Sequence, residues 1–170
     1  MKLSDALAQK FNDQITLEFE ASMTYRQLAI EADNLDLPGM ALWLRHQADE
    51  EIVHANKFID HVTDRDTHAK IGAIAAPKVK GAMTAKKIFE AALKHEEKVS
   101  EAIRELYRAA DADGDLDSRP LLTWFISEQI EEESTVSEII GRIDHAGGDG
   151  NGLLRIDDEL GKRPAESTEA

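Results

Sequence analysis

Asp49-Glu50-Glu51-Ile52-Val53-His54 decides how this chain is read, because two of its polar residues fall where a helix should be apolar. Steps of three and four through this region collect Leu44, Gln47, Glu51, His54, Phe58 and His61 on one helical face. That face is otherwise hydrophobic, so it should pack inward. A carboxylate there without a partner is costly.

Outward from this segment, breakers divide the chain into four long periodic stretches. Helices are expected at about 3–34, 38–64, 83–112 and 118–146. Ser4 or Asp5 suits the first start, Pro38 a first helical turn, Thr84 a cap, and Ser118 with Pro120 the last start. A short fifth helix at about 153–160 follows Gly147–Gly152, and residues 163–170 read as a polar tail after a single domain of residues 1–162. Short turns after the first and third helices make antiparallel hairpins. The link from Arg65 to Met83 is long by ordinary loop standards and can run the length of a bundle. The expected fold is therefore all-α: a four-helix bundle with one long crossover, plus the short C-terminal helix.

The other three seams are interrupted in the same way. The first helix reads Phe11, Ile15, Glu18, Ser22, Tyr25, Ala29; the third reads Phe89, Ala92, Glu96, Val99, Ile103, Leu106. The fourth reads Leu122, Phe125, Gln129, Glu132, Val136, Ile139, Ile143. Glu18, Glu51, Glu96 and Glu132 each lie within about two residues of a helix midpoint. At a rise of ~1.5 Å per residue, all four fall within roughly 3 Å of one level, whatever the helix directions. No Lys or Arg occupies a seam to neutralise them. Two divalent cations would. Carboxylate and imidazole ligands without thiolate suit iron or manganese better than copper(I). One such glutamate alone would more simply be a carboxylate reaching solvent; four at one level are not explained that way.

Composition bounds the alternatives. With 34 acidic and 20 basic residues the net charge is −14, which opposes general nucleic-acid binding and favours cations. There is no cysteine, so disulfides and thiolate metal sites are excluded, which fits a reducing cytoplasm. The start MKLSDALAQKFND lacks the apolar run of a secretory signal, and no stretch is apolar for long enough to span a membrane. Asp111-Ala-Asp-Gly-Asp-Leu-Asp117 resembles the start of a calcium loop, but Leu116 stands where glycine is needed and Leu122 where glutamate is. Gly147–Gly152 follows a helix rather than a strand, so it is no dinucleotide fingerprint and reads as a flexible helix stop.

The long-crossover bundle with these motifs resembles the ferritin-like di-iron proteins, and the bacterial non-haem ferritins most closely. The resemblance rests on Thr16-Leu17-Glu18-Phe19, Asp49–His54, Lys94-His95-Glu96 and Ser127–Glu133. It implies an iron-storing ferroxidase with non-haem iron. Glu18, Glu51 and His54 would form one iron site, and Glu51 would bridge to a second made with Glu96 and Glu132. Gln129 would orient a bound oxygen species or water. A third site would use Glu50, Glu128 and Glu131, sharing Glu132. Tyr25 and Trp124 match aromatic residues near such a centre, although packing alone also accounts for them. Haem is not expected, since Ile52 stands where bacterioferritins carry the ligating methionine. The resemblance further implies a hollow homo-oligomer of about 24 copies, with iron ions and dioxygen or peroxide as reactants and neither nucleic acid nor membrane as partner. Asp111, Asp113, Asp115 and Asp117 would line a pore or form a solvated loop. The alternatives are a di-iron peroxide reductase without storage, or a metal-free structural bundle.

Overall fold

The computed structural model describes residues 2–79 and 81–162; the expected tail at 163–170 lies outside the described residues. The helices are α1 (Asp5–Asp33), α2 (Pro38–Asp64), α3 (Ala85–Ala112), α4 (Arg119–Ala146) and α5 (Gly150–Lys162), with a 3-10 turn at Leu116–Ser118. No strand occurs among the described residues. The all-α bundle expected from the sequence is the fold observed.

Local signals act largely as read. The Ser4 hydroxyl accepts from Leu7 N at 3.2 Å, and the Thr84 hydroxyl from Lys87 N at 3.3 Å, each capping a helix start. Pro38 opens α2, where a missing N–H is harmless. Ser118 is different: its hydroxyl turns to Asp115 and His61 instead of capping α4. The fifth helix is longer than expected at both ends. Asp149 explains its early start, accepting from Asn151 N at 3.2 Å and Gly152 N at 3.1 Å, so Gly150 and Gly152 lie inside the helix. The stop is confined to Gly147 and Gly148, both at positive φ.

The crossover is pinned to α1 by a polar stripe at helical spacing. Asn12 Oδ1 accepts from Lys70 N at 2.9 Å, Thr16 Oγ1 from Gly72 N at 2.8 Å, and Glu20 Oε1 from Ala75 N at 3.2 Å. Residue numbers rise together on both segments, so the link runs parallel to α1 along the bundle. It returns the chain to the far end, and α3 therefore begins beside the start of α2.

Two hydrophobic clusters fill the interior. One joins Tyr25, Leu28, Met40, Trp43, Leu44, Ile88, Phe89, Val136 and Ile139 with Ile156 and Leu160 of α5. The other joins Leu7, Phe11, Ile15, Phe58, Val62, Val99, Ile103, Leu106, Leu122 and Phe125. Phe58 and Phe125 stack at 4.1 Å between centroids, and such a pair contributes about 0.5–1.5 kcal/mol beyond its area. Between the clusters lies a polar layer at mid-bundle.

The end nearest the α3–α4 turn is closed by charge. Arg65 donates to Asp115 Oδ1 at 2.7 Å and to Oδ2 at 3.3 Å, and both side chains are nearly buried. Asp111 pairs with Arg119. Asp115 is therefore a structural anchor, not part of a solvated loop or a free pore acid.

Candidate metal centre

Each helix supplies its mid-seam residue to the polar layer. Glu18, Glu51, His54, Glu96, Gln129 and Glu132 are all buried, at 0–7% exposure, and Tyr25 is 1% exposed. Helical periodicity put them inward, and the two flanking apolar clusters keep water out.

One half of the layer gathers Glu18, Glu51 and His54, whose ligand atoms lie within 4.8 Å of one another. His54 Nδ1 is 3.4 Å from Glu51 Oε2. The Gln14 amide donates to Glu18 Oε1 at 2.7 Å, while Glu18 Oε2 is buried with no N–H or hydroxyl donor, and the Glu51 carboxyl acts on Glu18 from beside it. An orphaned, inward-facing carboxylate oxygen is what a hard cation would satisfy.

In the other half, both oxygens of Glu96 are engaged. The Tyr25 hydroxyl donates to Oε1 at 2.5 Å and the Gln129 amide to Oε2 at 3.0 Å. Gln129 also donates to Ser100 Oγ at 3.3 Å, and Ser100 donates to Glu133. Glu132 faces Glu96 and Glu51 across the layer, and their charges act on it.

Burial is the main force on all four carboxyls. It pushes Glu18 well above the usual range, with the Glu51 charge adding to it. Glu51 and Glu132 are likewise pushed well up, by burial first and then by Glu96. Glu96 is raised by burial, against hydrogen bonds from Tyr25 and Gln129 that pull the other way. Burial and Glu96 hold the Tyr25 hydroxyl protonated, so it acts as a donor. Burial thus favours the protonated carboxyls in the absence of cations, and bound cations would favour the anionic form.

A second group, Glu50, His54 and Glu128, lies on the outward side of the first and shares its imidazole. Glu131, expected with them, is exposed and joins neither group among the described residues. Trp124 is 39% exposed and stands edge-on to His54 at 5.8 Å, with Lys57 Nζ 4.8 Å from its ring centre. His95 takes no part in the cluster: it is held down to about 4 by burial and by Lys98.

Sequence reading missed Gln14, Ser100 and Glu133. Gln14 stands four residues before Glu18, one turn away on the same face, and that spacing is the available signal. Ser100 and Glu133 meet only across the α3–α4 contact, which no spacing within one helix reveals.

A long-crossover helical bundle holding a buried carboxylate and imidazole cluster at its middle defines a class of metal-handling proteins. The sequence matches the ferritin-like domain over residues 8–146, and the chain belongs to the ferritin family. It is 32% identical to the bacterial non-heme ferritin of Escherichia coli O6:H1 over 158 residues, 93% of this chain and 95% of that one. It is 33% identical to the bacterial non-heme ferritin of Staphylococcus aureus strain USA300 over 161 residues, 95% of this chain and 96% of that one. Among solved structures, an open pore ferritin from the archaeon Archaeoglobus fulgidus superposes with a TM-score of 0.92. It is 31% identical and covers 96% of this chain and all of its own. The resemblance read from the motifs is thus borne out.

Proposed function

We propose that this protein stores iron and that the mid-bundle layer is its ferroxidase centre. One observation carries the reading: four helices each bury a glutamate at one level, with a histidine beside them. No Lys or Arg is ion-paired to Glu18, Glu51, Glu96 or Glu132 among the described residues. Two Fe²⁺ ions as substrate would balance four carboxylates. Glu18, Glu51 and His54 would hold one, Glu51 would reach the second, and Glu96 and Glu132 would complete it.

The reaction takes one electron from each Fe²⁺. With dioxygen, two Fe²⁺ and two protons give two Fe³⁺ and hydrogen peroxide; with peroxide as oxidant, the same electrons and protons give two Fe³⁺ and water. The second position lacks a histidine, and its Glu96 oxygens are held by Tyr25 and Gln129 rather than fixed for a permanent ion. Oxidised iron can then leave, hydrolyse and collect as ferric oxide mineral. Glu50 and Glu128, grouped beside His54, would belong to a third iron site sharing Glu132, with Glu131 exposed further along α4. Gln129 would orient the oxidant or a water once Glu96 turns to metal.

Storage needs an enclosure, so we take the working form to be a hollow homo-oligomer of about 24 copies in the cytoplasm. No described helix is long and apolar enough to cross a membrane. The test is rapid-mixing oxidation of two Fe²⁺ per chain. Glu51→Ala or His54→Ala should slow the fast phase by at least ~10-fold while size-exclusion shows the assembly unchanged. Unaltered rates in both variants would remove the layer from the reaction.

A further inference from the structure

The fold treats the two oxygens of Glu18 differently. Oε1 is held at 2.7 Å by the Gln14 amide, and Oε2, fully buried, receives no N–H or hydroxyl donor and has only the neighbouring Glu51 carboxyl acting on Glu18. Gln14 is itself 3% exposed, so this bond is not traded with water. The two residues are one turn apart on α1, and the rigid helix fixes the direction from which the amide approaches. A carboxylate whose orientation is set from one side presents its other oxygen in a fixed direction. Glu96 provides the contrast, since Tyr25 and Gln129 each donate to one of its oxygens and orient it from both sides.

We infer that Gln14 is a positioning residue for the first metal position: by holding Glu18 Oε1 it aims Oε2 at a cation shared with Glu51 and His54. The inference rests on the proposed ferroxidase reading, and it adds a residue that touches no metal. Gln14 also lines a groove of about 140 Å³ between α1 and α3, beside Lys10, Asp13 and Glu105, while its side chain stays buried. Outer donors of this kind typically set metal affinity by 10–100-fold.

The experiment uses Co²⁺ as the probe on metal-free, assembled protein, read by titration calorimetry and by the visible absorption of bound Co²⁺. Four proteins are compared: the native sequence, Gln14→Met, Ser22→Ala and Glu51→Ala. Gln14→Met keeps length and removes the donor. Ser22→Ala removes a buried hydrogen bond one turn beyond Glu18 on the same face, to Ala48 O at 2.7 Å, and that bond involves no carboxylate. The expected result is a Co²⁺ affinity at the tighter position weakened by roughly 10-fold in Gln14→Met, with an altered absorption band, and no change in Ser22→Ala. Native binding in Gln14→Met overturns the inference and leaves the ferroxidase reading standing. Equal weakening in Gln14→Met and Ser22→Ala also overturns it, by showing a packing effect. Should Glu51→Ala bind Co²⁺ as the native protein does, the site assignment falls and takes the inference with it.

Discussion

Gly39→Ala is the substitution whose cost is written most directly into the geometry. A methyl group at Gly39 would stand 1.9 Å from the Asp157 carbonyl oxygen and 2.7 Å from its carbonyl carbon. Both are backbone atoms of α5, so no side-chain rotation relieves the contact. Restoring an ordinary separation requires α5 to retreat by about 1.5 Å or more. Gly161 closes the same contact from the other side, since a Cβ there would lie 2.9 Å from Gly39 Cα. Retreat breaks the hydrogen bond from Met40 N to Asp157 Oδ1, now 2.7 Å and buried. That bond matters because Leu37, at the start of α2, offers no side-chain cap; Asp157 supplies the cap from 117 residues away. Losing a cap costs about 1 kcal/mol, and exposing Ile156 and Leu160 about 1.5–3 kcal/mol each. Full undocking of α5 is therefore worth on the order of 5 kcal/mol. Hydrogen exchange should show loss of protection across residues 150–162, with a lower melting temperature. Glu51 lies ~18 Å further along α2, so rapid Fe²⁺ oxidation should persist at temperatures where the bundle stays folded. Asp157→Ala, which removes the cap without a clash, should cost only about 1–2 kcal/mol. Native protection of α5 in Gly39→Ala would refute this account of the contact.

Two further outcomes follow from the charged interior. The layer carboxyls have folded pKa values raised above their unfolded ones, so the folded metal-free chain binds more protons. That contribution is complete below about pH 4.3 and is lost as pH climbs through the raised values. The metal-free melting temperature should therefore fall as pH rises above the ordinary glutamate range, and Co²⁺ at the higher pH should recover most of it; a slope unaffected by Co²⁺ would contradict the linkage. Arg65→Ala leaves Asp115 buried without its guanidinium and should cost about 3 kcal/mol in chemical denaturation, and a loss under 1 kcal/mol would mean water replaces the arginine.

Much of the site was legible because helical period and helix midpoints are properties of sequence. Glu18, Glu51, Glu96 and Glu132 could be set at one level before any packing was known, and the length of the crossover decided which ends meet. What stayed hidden depends on contacts between elements. Asp115 reads as one of four loop acids until Arg65, at the far end of α2, is seen beside it. Asp149 starts α5 three residues early through its own side chain, against a run of glycines that reads as loop. Gln129 sits on the expected face, but that it grips Glu96 and reaches Ser100 is a fact of how α3 and α4 pack.

The central claim is storage through the buried layer, and iron loading tests it most directly. About a hundred Fe²⁺ per chain would be added to metal-free protein in air, and iron and protein followed together through size-exclusion chromatography. The account predicts iron far above two per chain, co-eluting with a large assembly. Iron that stops near two per chain would instead describe a di-iron enzyme, and storage would have to be abandoned.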